Sequence, residues 1–325
     1  MEFALSEEQA ELASTVRAVL AKQADSAAVR AAVASEAGYD AALWSTLCEQ
    51  VGVAALGVPE EHDGFGATFF ETAVVLEELG RSLAPSPLLA TVIATEALLA
   101  GGTDEAKARL LPRIAAGEIA TFALDPGPVL DGADAAIVLA TVGPQLVELA
   151  PSRVEPLETM DQTIRLATIW AEEPVAIGEG GVARARADLV AAASAAALAV
   201  GLSARALQMT VDYSKERVQF GRPIGSFQAL KHRMADMLAR LEIARSASWA
   251  ASYALATHAP DAEQLTRTAA SYCLETATHL AGECIQLHGG IAITWEHDAH
   301  LVFKRAHALG QLFGAPHEQR ARITL

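Results

Sequence analysis

Apolar residues recur every three or four positions in both ends of the chain, and in short β-rich runs between them. In the first segment Ser6 and Gln9 form a capping box, and Leu12, Val16, Val19 and Leu20 follow at helical spacing. A second box, Thr68 with Glu71, follows the turn "PEEHDGFG". It opens a helix through Val74, Leu76 and Leu79 that Gly80 and Pro85 stop. A third helix is predicted in "TDEAKARLLPRIAAGE". Residues 1–118 therefore read as an N-terminal helical domain.

From Thr121 the period changes. "TFAL", "AAIVLATV", "QLVELA", "SRVEPL" and "TIRLATIW" are β-rich runs separated by "DPGP", "GPQ" and "MDQ", which predicts a compact antiparallel sheet or barrel piece in a short middle domain, 119–182. "AIGEGG" then leads into an Ala-rich helix. It reads as an interdomain turn or, by a weaker reading, a phosphate-cradling loop, since it lacks both GxGxxG spacing and a βαβ setting.

Residues 183–325 read as a four-helix bundle. Two long helices between about 183 and 258 flank "QFGRPIG". In the second, Phe227, Leu230, Met234, Leu238, Leu241 and Ala244 form the expected buried stripe. A third helix, about 262–287, ends at Gly289-Gly290, and a fourth runs from about Trp295 to Leu309. The helices are long enough to pack against a second subunit. "LGQLFGAP" ends the last of them, with Gly314 and Pro316 as its punctuation.

Composition narrows the class. The chain has 325 residues, 52% hydrophobic but only 5% aromatic, a mix that favours closely packed helices. A net charge of −16 argues against nucleic acid as a partner, because phosphate-backbone binding needs a basic face. Cys48, Cys273 and Cys284 form no CxxC pair and read as buried thiols in a reducing compartment. The acidic start "MEFALSEEQAELAS" does not look like a signal peptide, and the Ala-rich run from Leu189 to Ser203 is too short to span a bilayer. A soluble, cytoplasmic protein with no membrane partner is the expectation.

Three constellations could carry chemistry. "YSKERVQFGRPIGSFQALKHRMADM", Tyr213 to Met237, is a polar, basic, Gly-containing break where an Arg fork could meet an anion, or a plain helix-helix turn with Arg217 solvated. "ECIQLHGGIAITWE", Glu283 to Glu296, places paired glycines after a helix, which permits close approach of a planar or phosphorylated group and equally makes an ordinary C-cap. His288 before them reads as a capping side chain. His297, His300 and His307 offer an i, i+3 pair without a third ligand, so no metal site is assigned.

Taken in order, "LSEEQAEL", "VPEEHDGFG", "VLEELGRSLAPSP", "GTDEAKARLLPRIAAGE", "ERVQFGRPIGSFQALKHRMADM" and "ECIQLHGGIAIT" resemble the acyl-CoA dehydrogenase family over essentially the whole chain. The resemblance implies a mainly α fold with an N-terminal helical domain, a middle β domain, truncated here, and a C-terminal four-helix bundle. It implies tetramers built as pairs of dimers, with FAD at the dimer interface. The FAD pyrophosphate and adenine would meet Arg217, Gln219, Phe220, Gln286, Gly289 and Gly290 of the neighbouring subunit. Those residues suit such a ligand, since they offer a forked cation, an aromatic wall, directional hydrogen bonds and backbone free of Cβ.

The family's reaction also needs a Glu that takes the α-proton of an acyl thioester. Aligning "QLFGAP" on the usual Tyr-Glu-Gly-Thr stretch puts Phe313 on the Tyr and Gly314 on the Glu. The alternative place for the base, on the long helix before the Arg motif, falls at Ala191, with Ala192 where an Arg usually follows. The middle domain also lacks the Thr-Glu-Pro and Gly-Ser-Asp elements of relatives. The resemblance therefore points to a non-catalytic, FAD-supporting subunit, with no catalytic residue of its own, similar to one half of the α2β2 enzymes of steroid side-chain (cholesterol-type) β-oxidation. Its implied partners are a homologous subunit carrying the Glu, an acyl-CoA or steroid-CoA bound mainly by that subunit, and an electron-transfer flavoprotein. Two alternatives stand beside it: a self-sufficient dehydrogenase or oxidase with a displaced base, Asp212 or Glu318, and a flavin-free scaffold.

Overall fold

The computed structural model describes residues 4–124 and 127–323. The N-terminal segment forms α1 (Glu7–Gln23), α2 (Ser26–Ala34), α3 (Ala41–Thr46), α4 (Phe69–Ser82), α5 (Leu88–Gly101) and α6 (Asp104–Ala115). Both expected capping boxes are made: Ser6 Oγ accepts from the Gln9 N–H at 3.2 Å, and Glu71 Oε2 accepts from the Thr68 N–H at 2.9 Å. α5, "LLATVIATEALLAG", carries no period because nearly every face is buried, between α7 and the first strand.

The middle segment is a mixed sheet. Strands β1 (Ala120–Ala123), β2 (Val129–Leu130), β3 (Ile137–Val142), β4 (Gln145–Leu157) and β5 (Leu166–Glu179) lie in the order β1-β3-β4-β5-β2. The expected compact antiparallel sheet or barrel piece is corrected at the β1–β3 pair, which is parallel, while the other pairs are antiparallel. After β1 the chain crosses to the far edge to form β2, so it re-enters beside β1 in the same direction. "QLVELA" and "SRVEPL" are one strand, β4. Pro151 and Pro156 are tolerated because β3 pairs only with residues 145–149, leaving that edge of β4 without a neighbour to hydrogen-bond. Of the "DPGP" turn, Asp125 and Pro126 lie outside the described residues.

"AIGEGG" is not a free turn: Ala176–Glu179 end β5, and Gly180 begins α7 (Gly180–Glu216). The remaining elements are the hairpin β6 (Val218–Gln219) and β7 (Arg222–Pro223), then α8 (Gln228–Ala256), α9 (Ala262–His288), α10 (Ala299–Leu312) and α11 (Pro316–Ala321). In α8 the stripe is rotated from the expected one, with Met237, Leu241, Ala244, Ser248 and Ala251 buried and Leu238 50% exposed. α10 begins at Ala299 rather than Trp295, since residues 289–293 form a 3₁₀ turn and the chain extends at Thr294.

α7 is the spine of the molecule. An 18-residue window of it is apolar enough to cross a membrane, but 89% of that window is buried against its neighbours, as in a core helix. It meets α4 at backbone contact: a Cβ on Gly80 would lie 2.2 Å from the Leu198 carbonyl oxygen, and one on Gly201 would lie 1.8 Å from that of Glu77. Charged clamps tie the sheet to the helices. Arg305 Nε on α10 donates to Asp161 Oδ2 at 2.7 Å and Thr163 Oγ1 at 2.8 Å, and Arg165 Nη1 donates to the Glu36 carbonyl at 3.2 Å. Asp131 is buried at this junction, and burial pushes its carboxyl up to about 8, with Asp134 adding to the shift.

Candidate cofactor site at one end of the bundle

The break between α7 and α8 is a β-hairpin rather than a plain helix-helix turn. Val218 pairs with Pro223 and Gln219 with Arg222, while Phe220 and Gly221 turn the chain with φ of 52° and 77°. Two successive positive φ values are what a tight hairpin of this hand requires. The turn holds the Phe220 ring 92% exposed, edge-on to Phe227 at 6.2 Å between centroids, while the Arg222 guanidinium lies 4.1 Å over Phe227. Arg217 caps α7: its N–H donates to the Tyr213 carbonyl and its own carbonyl accepts from the Ile224 N–H, each at 2.8 Å. The Arg217 side chain is exposed, and among the described residues it has no hydrogen-bond or ion-pair partner. Gln219 is exposed beside it.

α9 ends at the same place. Gln286 is exposed on its last turn, and the Gly289 N–H donates to the Ile285 carbonyl, so the glycine is a helix cap. It is also open backbone. Gly289 sits at φ 67°, ψ −146°, and nothing lies within 4 Å of a Cβ built on either Gly289 or Gly290. His288, just before, is 4% exposed, and its Nδ1–H donates to the Cys284 carbonyl at 2.7 Å. Its ring stacks on Tyr213 at 4.4 Å and approaches His297 at 4.6 Å. This stack brings the ends of α7 and α9 and the approach to α10 together, so the Arg217 hairpin and the Gly289-Gly290 turn share one end of the bundle. Burial lowers the pKa of His288. An unpaired guanidinium, an exposed ring and uncluttered glycine backbone fit an anionic group attached to a planar one, as in FAD.

A second region is organised differently. A cleft of about 770 Å³ lies between the sheet and the helices, with Phe122, Leu166 and Phe313 on its apolar side and Arg184, Asp188 and Glu318 on its polar side. Gly314 lines it at φ 98°, between the end of α10 and Pro316 at the first turn of α11. A Cβ there would lie 3.1 Å from Gln319 Nε2 and 3.6 Å from Glu318 Oε2. Both carboxylates are engaged. Glu318 Oε2 accepts from the Ala315 N–H at 2.7 Å, and Asp188 pairs with Arg267 and, at 3.4 Å, with Arg322. Arg267, 4% exposed, also donates to Gln319 Oε1 at 3.0 Å, and Gln319 Nε2 donates to the Phe313 carbonyl at 2.7 Å. The loop around Gly314 is thus braced from α7 and α9.

Ala191 and Ala192 are at most 1% exposed, inside the α7 core. Asp212 is 24 residues beyond Asp188 on α7, about 36 Å along the helix, so of the two displaced-base candidates only Glu318 borders the cleft. Among the described residues no cluster of three or more His, Cys, Asp or Glu could hold a metal. His300 meets the Trp295 ring edge-on at 4.7 Å, and His307 Nδ1 bonds the Phe303 carbonyl at 2.9 Å. Cys273 and Cys284 are buried and Cys48 half-buried. Burial pushes Cys48 up to about 12 and Cys284 up to about 11, so these thiols are not poised as nucleophiles.

Sequence patterns alone do not reveal the packing of Tyr213 and His297 on His288, or the Arg267 brace. Tyr213 precedes Arg217 by one helical turn, a usable signal. The His297 and Arg267 contacts are long-range, and nothing local announces them.

Two family descriptions match the chain: "Acyl-CoA dehydrogenase, N-terminal domain" over residues 6–118 and "Acyl-CoA dehydrogenase, C-terminal domain" over 180–324, flanking most of the sheet. A relative from Mycobacterium tuberculosis, acyl-CoA dehydrogenase IpdE2, is 49% identical over 98% of this chain and 96% of its own length. Among solved structures, the "Tcur3481-Tcur3483 steroid ACAD G363A variant" superposes with a TM-score of 0.90 at 28% identity, covering 98% of this chain and 96% of that one. The ChsE4-ChsE5 complex from Mycobacterium tuberculosis superposes with a TM-score of 0.91 at 25% identity, covering 99% and 98%.

Proposed function

The chain belongs to the acyl-CoA dehydrogenase family of FAD-dependent oxidoreductases, and from that premise we propose that it is the non-catalytic, FAD-supporting subunit of a heteromeric enzyme that desaturates a steroid-derived CoA thioester. The observation that carries this reading is the Gly314 loop. Where the family resemblance places a proton-abstracting Glu, this chain has a glycine at φ 98°, and the nearest carboxylate is used to cap α11. The similar chains named for steroid enzymes and for a two-component complex support the substrate class and the paired assembly.

In this reading Arg217 holds the pyrophosphate of an FAD shared with the partner subunit. Gln219 and Gln286 direct hydrogen bonds to it, Phe220 walls its adenine side, and Gly289 and Gly290 let the backbone come close. When bound, FAD supplies the hydride acceptor, and the homologous partner supplies the base and most of the acyl pocket. An electron-transfer flavoprotein takes the electrons onward. The chain divides at about residues 118 and 182 into helical, β and bundle domains, of which the last carries the half-site.

The test is co-expression. The chain alone is expected to bind little FAD and to leave a steroid-CoA unchanged, whereas the chain with its partner binds FAD and turns the substrate over. Turnover by the chain alone would support the second reading, a displaced base at Glu318, which its place 3.6 Å from a Cβ built on Gly314 favours over Asp212. Full flavin content in the complex after Arg217→Ala would support the scaffold instead.

A further inference from the structure

The Tyr213, His288 and His297 rings join the two halves of the proposed half-site, and none of them is assigned a role by it. Tyr213 lies one turn before Arg217, and His288 is the residue before Gly289. Stacking of Tyr213 on His288 at 4.4 Å is therefore a short rigid link between the hairpin and the paired glycines. His297 packs beside the pair, tilted 52° at 4.6 Å from His288 and edge-on to Tyr213 at 6.5 Å, and its Nδ1 accepts from the Ala299 N–H at 3.2 Å at the start of α10. Resting on the half-site reading, we propose that His288 is a positioning residue for the adenine side of the FAD site, fixing the Gly289-Gly290 turn in register with the Arg217 hairpin through its stack on Tyr213 and its tilted contact with His297.

The hydrogen bond at His297 specifies a neutral ring, whereas at His288 burial disfavours the charge against backbone hydrogen bonds that favour it. His288 Nδ1 faces the Cys284 carbonyl and so carries the proton, whereas His297 Nδ1 accepts from a backbone N–H and so carries none. The charged groups around the stack come from three elements: Arg205 on α7, Arg30 on α2, and Asp298 beside His297. Asp298 accepts from Ser26 Oγ and Arg30 Nη2, each at 2.7 Å, and lies 3.7 Å from Arg205. Tyr213 and Cys284 complete the surroundings. His297 sits nearest the only carboxylate of the set, while Arg205 and Arg30 both oppose its protonation. Protonating both imidazoles would put two cations in one part-buried stack already flanked by two arginines. It would also cost His297 its bond to Ala299. Burial lowers the pKa of both rings, with His297 adding to the shift at His288, and with Arg205 and Arg30 adding to it at His297 against the pull of Asp298, so acid loosens the joint.

The experiment uses the complex with the catalytic partner and follows free flavin by its fluorescence. In the wild-type complex the affinity for FAD is expected to fall as pH drops from about 8 to about 5.5. His288→Phe keeps the stacked ring without a titrating nitrogen, so it should hold FAD at pH 8 and show a smaller acid step, the part left to His297. His288→Ala should weaken FAD about tenfold at pH 8. Acid release from His288→Phe that matches wild type, or wild-type affinity in His288→Ala, would overturn the proposal. Arg217→Ala, run in parallel, separates the two levels. Flavin lost with Arg217→Ala but unaffected by either His288 variant sinks the positioning role alone, whereas flavin retained with Arg217→Ala sinks the half-site reading beneath it.

Discussion

The two ends of α7 contrast in what they leave unfinished. At its C-terminal end Arg217 has no partner among the described residues, Phe220 stands 92% exposed and the glycines present bare backbone. At its N-terminal end the charged groups around the cleft are largely used up: Arg267 and Arg322 neutralise Asp188, and Glu318 caps α11. Unpaired donors held by a rigid scaffold await a ligand, whereas ion pairs closed on themselves hold a loop in place. One helix thus carries the proposed half-site, with its groups left open, and a self-contained structural brace.

The contrast is most severely tested at the brace. Arg267→Met removes a cation that is 4% exposed and leaves Asp188 with only Arg322, so chemical denaturation of the complex should show a loss of about 3 kcal/mol. The FAD affinity of the folded complex should stay near wild type. Next, Arg217→Ala should cost roughly 2 kcal/mol of FAD affinity, about thirtyfold, with an unchanged melting temperature, because the side chain supports nothing else. Gly314→Glu restores the family's carboxylate in name only. At φ 98° and beside Glu318 it should lower stability by about 1–3 kcal/mol and give no turnover in the lone chain, and measurable steroid-CoA desaturation would break the comparison. The last prediction concerns Asp131, whose effect depends on pH. Its carboxyl is raised to about 8 in the folded protein against an ordinary carboxylate when unfolded, so wild-type stability is lost as pH rises from about 4 through about 8. Asp131→Asn, which also tolerates the local φ of 49°, should gain on wild type across that window, by up to roughly 5 kcal/mol, and the gap should level off above it.

Much of this was written locally. Capping boxes at Ser6 and Thr68 and the amphipathic runs behind them are signals within a few residues, and the helices start where they say. α5 was not legible, because a helix buried on nearly every face has no period to detect. Nor was the α8 stripe, where Leu238 looks like core by spacing but points outward, since α8 is rotated by its packing on α9 and α7. The hairpin was hidden in "QFGRPIG" because its turn puts a phenylalanine, not an asparagine, at positive φ. Membership of the acyl-CoA dehydrogenase family was legible from the order of the motifs. What their order could not convey is that Tyr213 stacks on His288, 75 residues away, or that Arg267 reaches Asp188 and Gln319 at once.

The backbone contact of Gly80 and Gly201 across α4 and α7 has a mechanical consequence. Helices separated by side chains can slide by exchanging rotamers, but main chains that touch at two points have no such compliance. Whatever gives way when a cofactor or partner docks must therefore lie outside this seam, and the hairpin beyond Glu216 is the first place along α7 where the chain is free of it.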